Sequence, residues 1–437
     1  MNKKEIFKRI IIEGTNRKVS LTLRKLKLPV DIDSVVSLYG PRRCGKTYLF
    51  YQTIQDLSSK DIPLEKILYV NFEDERILPF NKEDWEILLD AFYELYPENI
   101  DQKNYLLLDE VQEAPLWEKF ARRLSEKKNF HIYITGSSSR FFSREISTSL
   151  RGRTLSFFLM PFSFREFLTF KDFKIQEHLE YSPLRHKARK LFDEYLKYGG
   201  FPEILDKEEF LKMQILQGYY DLIFYKDIVE RYKIRNLALM KNLMRYLLTQ
   251  FSSLFSVTAY YNHLHSSGQK VGKDTLFEYL SLLEEASFVK LVPLFDYSFK
   301  KQTVNPRKLY CIDTGLISAG SFQFTENRGK YLENIAFLEL LRRDKTVFYF
   351  KDKQGYEVDF LVTKKNKPEQ LIQVSSELGD VKTKEREIRA LISAADQFKI
   401  KQCIILTDDQ REEIVRGRLK IKVMPLWQWL IDEKIIY

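Results

Sequence analysis

Two groups of side chains in this chain have the types and the spacing to do chemistry on a polyphosphate. The first is Gly40-Pro41-Arg42-Arg43-Cys44-Gly45-Lys46-Thr47-Tyr48, which fits the Gly-x-x-x-x-Gly-Lys-Thr pattern of a phosphate-binding loop, or P-loop. Glycines let backbone N–H groups face a phosphate with no Cβ in the way. Lys46 is placed to reach the β- and γ-phosphates, and the Thr47 hydroxyl to hold Mg2+. A helix opening at these residues would turn its positive end to the anion. The second group is Asp109-Glu110, closing the apolar run Asn104–Leu108. Asp109 would hold Mg2+ through water, and Glu110 would polarise the attacking water as general base. The implied ligand is a nucleoside triphosphate and the implied metal Mg2+. Thr135 and Ser137, at the polar end of a later apolar run, are candidates to sense the γ-phosphate. Arg151 and Arg153 are candidates to stabilise transition-state charge on the nucleotide of a neighbouring copy, which implies a homo-oligomer.

Five short segments must position these groups. A β-branched run ends at Gly40, and Tyr48–Leu57 continues as a helix. Ile67–Phe72, Asn104–Asp109, Phe130–Thr135 and Thr154–Leu159 read as buried strands, with an amphipathic helix at Trp85–Leu95 between two of them. In NTPases that hydrolyse with a glutamate, an extra strand separates the P-loop strand from the Asp-Glu strand; Ile67–Phe72 is read as that strand. Residues 1–33 read as a basic helix and lead-in strapped onto the core.

With 44% hydrophobic and 30% charged residues the chain is globular, and 437 residues imply two or three domains. A net charge of +10 admits a nucleic-acid partner without demanding one. Cys44, Cys311 and Cys403 have neither metal nor redox spacing, which fits a reducing cytoplasm. Cys44 reads as an oxidisable thiol or simply a small residue the loop tolerates. Glu13 interrupts the lysine-rich start before any apolar core of signal-peptide length. No uncharged apolar run approaches the ~20 residues that cross a bilayer; the longest candidate, Thr154–Phe164, is short and contains Pro161. The expectation is a cytoplasmic protein with no membrane partner.

Gly-Pro-Arg-Arg-x-Gly-Lys-Thr, Leu-Leu-Asp-Glu-Val-Gln, Thr-Gly-Ser-Ser, Leu-x-Gly-Arg and Pro161-Phe-Ser-Phe-Arg-Glu-Phe together resemble one family. It comprises bacterial and archaeal AAA-type ATPases that carry a second, carboxyl-terminal domain of unknown function. Tyr198-Gly-Gly-Phe-Pro-Glu203, Lys308-Leu-Tyr-Cys-Ile-Asp-Thr-Gly315 and Glu357-Val-Asp359-Phe360 are similar to that family's later signatures. The resemblance spans nearly the whole chain and implies ATP binding, hydrolysis and oligomerisation. It supplies no macromolecular substrate.

The remaining pattern extends the α/β, P-loop NTPase reading of residues 1–170, an AAA-type parallel sheet. Residues 171–250 read as a helical lid, with helices over Lys171–Asp193, Lys212–Tyr232 and Ala238–Phe251. Residues 251–300 read as a winged-helix module: a short helix at Val257, a turn at Ser266–Gly272, a second helix from Lys273 and a wing strand at Phe288. Lys270, Lys273 and Tyr279 would meet DNA if this module bound it; the alternative is an internal packing module. His263 and His265 lack partners at metal spacing and are read as structural. Residues 301–437 follow the helix, hairpin, strand, helix, strand order of a restriction-endonuclease-like domain. Glu333 and Asp359 occupy two of the Mg2+-ligand positions of such nucleases, and Gln373-Val374-Ser375 stands where Glu-x-Lys belongs. A degenerate centre is the expectation, with Glu357 and Asp359 kept for structure. An ATP-regulated nuclease, served by Lys364 or Lys382, and a nucleotide-dependent scaffold without turnover are the alternatives.

Overall fold

The structure is a computed structural model that describes residues 2–136, 152–320 and 327–432. Ser137 and Arg151 lie outside the described residues. The chain divides into two compact units, Met1–Met160 and Pro161–Tyr437.

The first unit holds β1 (Val35–Tyr39), β2 (Ile67–Asn71), β3 (Asn104–Asp109), β4 (Phe130–Gly136) and β5 (Thr154–Phe158). All pairings are parallel and the order across the sheet is β2-β3-β4-β1-β5. Helices cover such sheets on both faces, so their inner strands need no polar alternation, and β3 and β4 are buried along their whole length. The helix Lys3–Thr15 packs Phe7, Ile10 and Ile11 into this core. One expectation changes. The strand standing between β1 and β3 is β4, whereas Ile67–Asn71 lies at the sheet edge beside β3. Helical crossovers can skip a neighbour, so order along the chain does not dictate order across a parallel sheet.

The second unit opens with helices Phe164–Phe170, Leu184–Tyr198, Glu209–Leu222 and Leu237–Thr249, the third running on into a π-helical stretch, Ile223–Glu230. The helix expected from Lys171 begins only at Leu184. Pro183 excludes the helical conformation from the residue before it, and Ser182 is extended (ψ 151°). A three-stranded antiparallel sheet follows, β6 (Ser253–Phe255), β7 (Val289–Val292) and β8 (Arg307–Cys311), in the order β6-β8-β7. Helices Val257–Ser266 and Lys273–Glu285 lie between its first two strands in sequence. The last sheet contains β9 (Thr346–Lys351), β10 (Glu357–Lys364), β11 (Lys367–Val374), β12 (Gln402–Thr407), β13 (Glu412–Arg416) and β14 (Leu419–Pro425). Its order is β13-β14-β12-β11-β10-β9. Helix Arg328–Arg342 precedes β9, and helix Val381–Phe398 joins β11 to its parallel neighbour β12.

Two sequence signatures of this unit meet in one joint. The Asp313 carboxylate accepts the backbone N–H groups of Gly200 and Gly315, each at 2.8 Å. Burial outweighs these bonds and pushes the Asp313 carboxyl up to about 7. Its folded pKa therefore lies above the unfolded one, so its stabilising contribution is complete below about pH 4 and is lost as the pH rises through 7. Thermal unfolding of this unit is expected to fall by about 2–4 °C per kcal/mol lost between pH 5 and pH 8. Differential scanning calorimetry of Asp313→Asn beside the parent should show a flatter pH profile; an unchanged slope would remove Asp313 as its source.

Candidate functional site

The carboxyl ends of β1, β3 and β4 bring the sequence-predicted polyphosphate residues together. Leu38 and Tyr39 end β1 against the turn, which holds Arg43 at φ +65° and Gly45 at φ +98° as the cap of helix Lys46–Ser58. Gly40 has a packing duty as well: a Cβ there would stand 2.1 Å from the Leu159 carbonyl oxygen. The buried Arg24 guanidinium braces the loop from the lead-in segment by donating to the Cys44 and Met160 carbonyls.

Lys46 is only 5% exposed. Its ammonium donates to the Gly40 and Pro41 carbonyls at 3.3 and 3.4 Å and pairs with Glu110 Oε1 at 3.2 Å. Burial alone would lower the lysine, but Glu110 and Asp109 hold it above its ordinary value. Glu110 takes a left-handed backbone, φ +50°, which turns its carboxylate towards the loop. Burial would raise its carboxyl; Lys46, the 2.6 Å bond from Gln112 Nε2 and the Arg42 charge overcome this and hold it below the usual range. Its neighbour Asp109 moves the other way, to about 6, through burial and then the Glu110 charge, against hydrogen bonds from Thr135 and Thr47. Adjacent carboxylates are thus driven apart, one ionised and one easily protonated. A hydroxyl and a carboxylate at Thr47 and Asp109 form the hard oxygen set that suits Mg2+.

Thr135 sits on β4 between the two strands. Its hydroxyl donates to Asp109 Oδ1 at 2.5 Å and accepts the Glu110 N–H at 2.9 Å. Tyr48 is exposed beside the loop, and Arg42 pairs with Glu73 at 3.0 Å. Cys44 is fully buried, and burial pushes its thiol up, so the oxidisable-thiol reading fails for want of thiolate and access. Arg153 is exposed at the amino end of β5, where its carbonyl accepts the Val35 N–H. That is the opposite end of the sheet from the P-loop of its own chain. Two open clefts of about 400 and 630 Å3, near His131 and Phe157, share no residue with the cluster.

The second cluster lies in the other unit. Lys308, on β8 and 3% exposed, places its ammonium 2.6 Å from Asp359 Oδ1, 2.9 Å from Glu357 Oε1 and 3.0 Å from Glu333 Oε1. Tyr310 donates to the same Glu333 oxygen at 2.7 Å. Burial and the Asp359 charge push the Glu333 carboxyl up to about 7 despite Lys308. Gln373 accepts the Asp359 N–H at 3.0 Å and donates to Glu387 Oε2 at 2.6 Å. Lys364 and Lys382, the lysines expected to serve this centre, are exposed, and Lys364 pairs with Glu369 instead. Among the described residues, no group of three or more His, Cys, Asp or Glu side chains is arranged to hold a metal ion.

Sequence reasoning missed Lys308, Tyr69 and Gln112. Tyr69 donates to Asp109 Oδ2 at 3.1 Å from β2; a hydroxyl tip within the apolar run Ile67–Asn71 was the available signal. Tyr279, a candidate for DNA contact, is buried in the module core and cannot reach a partner. Lys270 and Lys273 are exposed.

Comparison with family models finds an AAA domain over residues 33–168, Domain of unknown function (DUF8612) over 189–326 and Domain of unknown function (DUF4143) over 328–429. An uncharacterized protein of Methanocaldococcus jannaschii is 37% identical, covering 98% of this chain and 96% of that protein. An uncharacterized protein of Haemophilus influenzae is 32% identical over 76% of this chain and 80% of its own length. Among solved structures, the crystal structure of Cdc6p from Pyrobaculum aerophilum is 15% identical and covers 69% of this chain and 88% of that one. Its TM-score of 0.26 is too low to carry an argument.

Proposed function

This chain belongs to the family of archaeal and bacterial proteins that join an AAA domain to two domains of unknown function, and from that premise we propose that it binds and hydrolyses ATP at the P-loop. One observation carries the reading: Lys46, Thr47, Asp109 and Glu110 converge at the carboxyl ends of β1 and β3. The backbone N–H groups of Arg42–Thr47 and the first turn of helix Lys46–Ser58 bind the triphosphate. Lys46 leaves Glu110 for the β- and γ-phosphates, which frees the ionised Glu110 carboxylate to take a proton from water. Thr47 and Asp109 would hold Mg2+, which when bound neutralises charge on the phosphate oxygens. Both faces of the Thr135 hydroxyl are used by Asp109 and Glu110, so we assign it to positioning these two residues. Arg153 would reach a triphosphate only in a neighbouring copy.

For the rest of the chain we propose a switch. Residues 171–250 would serve as the helical lid, residues 251–300 as the winged-helix module, whose sheet β8 completes, and the rest of residues 301–437 as the nuclease-like domain. The exposed side of helix Lys273–Glu285 mixes Lys273 with Asp274, Phe277 and Glu278. A face with no net positive charge favours a protein partner over DNA. Turnover of ATP by the purified protein, measured alone and with DNA or RNA, tests both levels. Mg2+-dependent turnover that EDTA abolishes is expected, with no rise when polymer is added. Failure to bind any adenine nucleotide would overturn the whole reading; a polymer-dependent rise would overturn the partner class alone.

A further inference from the structure

The restriction-endonuclease-like order of elements implies a divalent metal held by acids on the first helix and second strand, and the donor set here is already taken. Asp359 Oδ1 meets Lys308, and Asp359 Oδ2 accepts the Val374 N–H at 2.9 Å. Glu333 Oε1 receives Lys308 and Tyr310 together. Gln373, at the position of the third acid, spends its oxygen on the Asp359 backbone and its nitrogen on Glu387. Glu387 in turn pairs with Arg386 at 2.7 Å. The residues do not fit a metal.

We infer that Lys308 is a tethered cation standing where a nuclease's metal would stand, so that the carboxyl-terminal domain is closed around an internal counter-ion and has no cleavage centre. This rests on the nuclease-like reading of residues 328–432. The geometry is that of cation coordination: three carboxylate oxygens from two elements converge on one nitrogen within 3.0 Å. The ammonium comes from a third element, β8, which pairs with the sheet of the preceding module. One charge therefore also pins that module to the last domain. A lysine in this place supplies charge without the open coordination positions that would bind a phosphodiester or activate water.

Removing the ammonium should leave the buried Glu333 and Asp359 carboxylates, and the half-buried Glu357 beside them, uncompensated, a state a divalent cation relieves. The test is Mn2+ binding by the full chain, without nucleotide and in an Asp109→Asn background so that the P-loop contributes no metal. Lys308→Ala is expected to bind one Mn2+ about 100-fold tighter than its parent, and further substitution of Asp359→Asn should abolish that gain. Thermal unfolding supplies a second readout: Mn2+ should raise the midpoint of Lys308→Ala far more than that of the parent, even where the variant folds only with metal. A parent that binds Mn2+ through Asp359, or a Lys308→Ala variant that Mn2+ neither binds nor stabilises, would overturn the inference. Neither outcome touches the P-loop reading, and cleavage of DNA by the parent that Asp359→Asn abolishes would show that the domain is nuclease-like but active.

Discussion

Glu110→Gln is expected to bind ATP as well as the parent and to turn it over about 100-fold more slowly or worse, the usual scale for losing a general base. The amide is isosteric but cannot accept the water's proton. A second consequence follows from the pair that Glu110 makes with Lys46 at 3.2 Å. Nucleotide must break that pair to recruit the lysine, and an amide holds an ammonium less strongly than a carboxylate does. Affinity in Glu110→Gln should therefore stay level or tighten. Lys46→Ala should do the reverse, weakening ATP by about 100-fold or more, because it removes the phosphate-facing charge and leaves two neighbouring buried carboxylates to repel the triphosphate. Equilibrium titration with a fluorescent ATP analogue and single-turnover hydrolysis separate the two effects. Equal turnover in Glu110→Gln and parent would leave a nucleotide-dependent scaffold as the better account.

The half of this chain that works through short-range order was legible in its sequence. Gly-x-x-x-x-Gly-Lys-Thr specifies a turn by residue types that few other backbones need, and an apolar run closed by Asp-Glu marks a strand end. Both lie where the pattern placed them. What escaped was side-chain traffic between distant elements. Lys308 heads one of the signatures, but nothing in that stretch names a partner for its charge; its meaning appears only when β8 is laid beside helix Arg328–Arg342 and β10, which bring Glu333 and Asp359 to it from 25 and 51 residues away. Tyr69 meets Asp109 across two adjacent strands for the same reason. The sheet position of Ile67–Asn71 failed because a helical crossover carries no record of how many strands it spans. Tyr279 failed because a helix's outer face is set by what packs against it, and here Leu276, Leu280 and Leu283 turn Tyr279 inward with them.

Gly199→Ala should destabilise the second unit by about 3 kcal/mol or more, far beyond what adding a methyl group to a helix end normally does. The residue ends helix Leu184–Tyr198 at φ +75° and ψ −160°, a conformation open almost only to glycine, and strain there costs about 1–3 kcal/mol. The added Cβ would also stand 1.8 Å from Asp313 Oδ1. Asp313 would have to leave, and the Gly200 and Gly315 amides it accepts would lose their buried partner, at about 1–3 kcal/mol each. Gly218 is the internal control. It lies on helix Glu209–Leu222 with nothing within 4 Å of an added Cβ, and Gly218→Ala should stabilise by about 0.5–1 kcal/mol. Chemical denaturation of the two variants should move in opposite directions. ATP binding by Gly199→Ala below its unfolding transition should be unchanged, since the P-loop belongs to the other unit. A Gly199→Ala protein as stable as its parent would mean that Asp313 can find other amides, and that the meeting of the two signatures contributes little to this joint's packing.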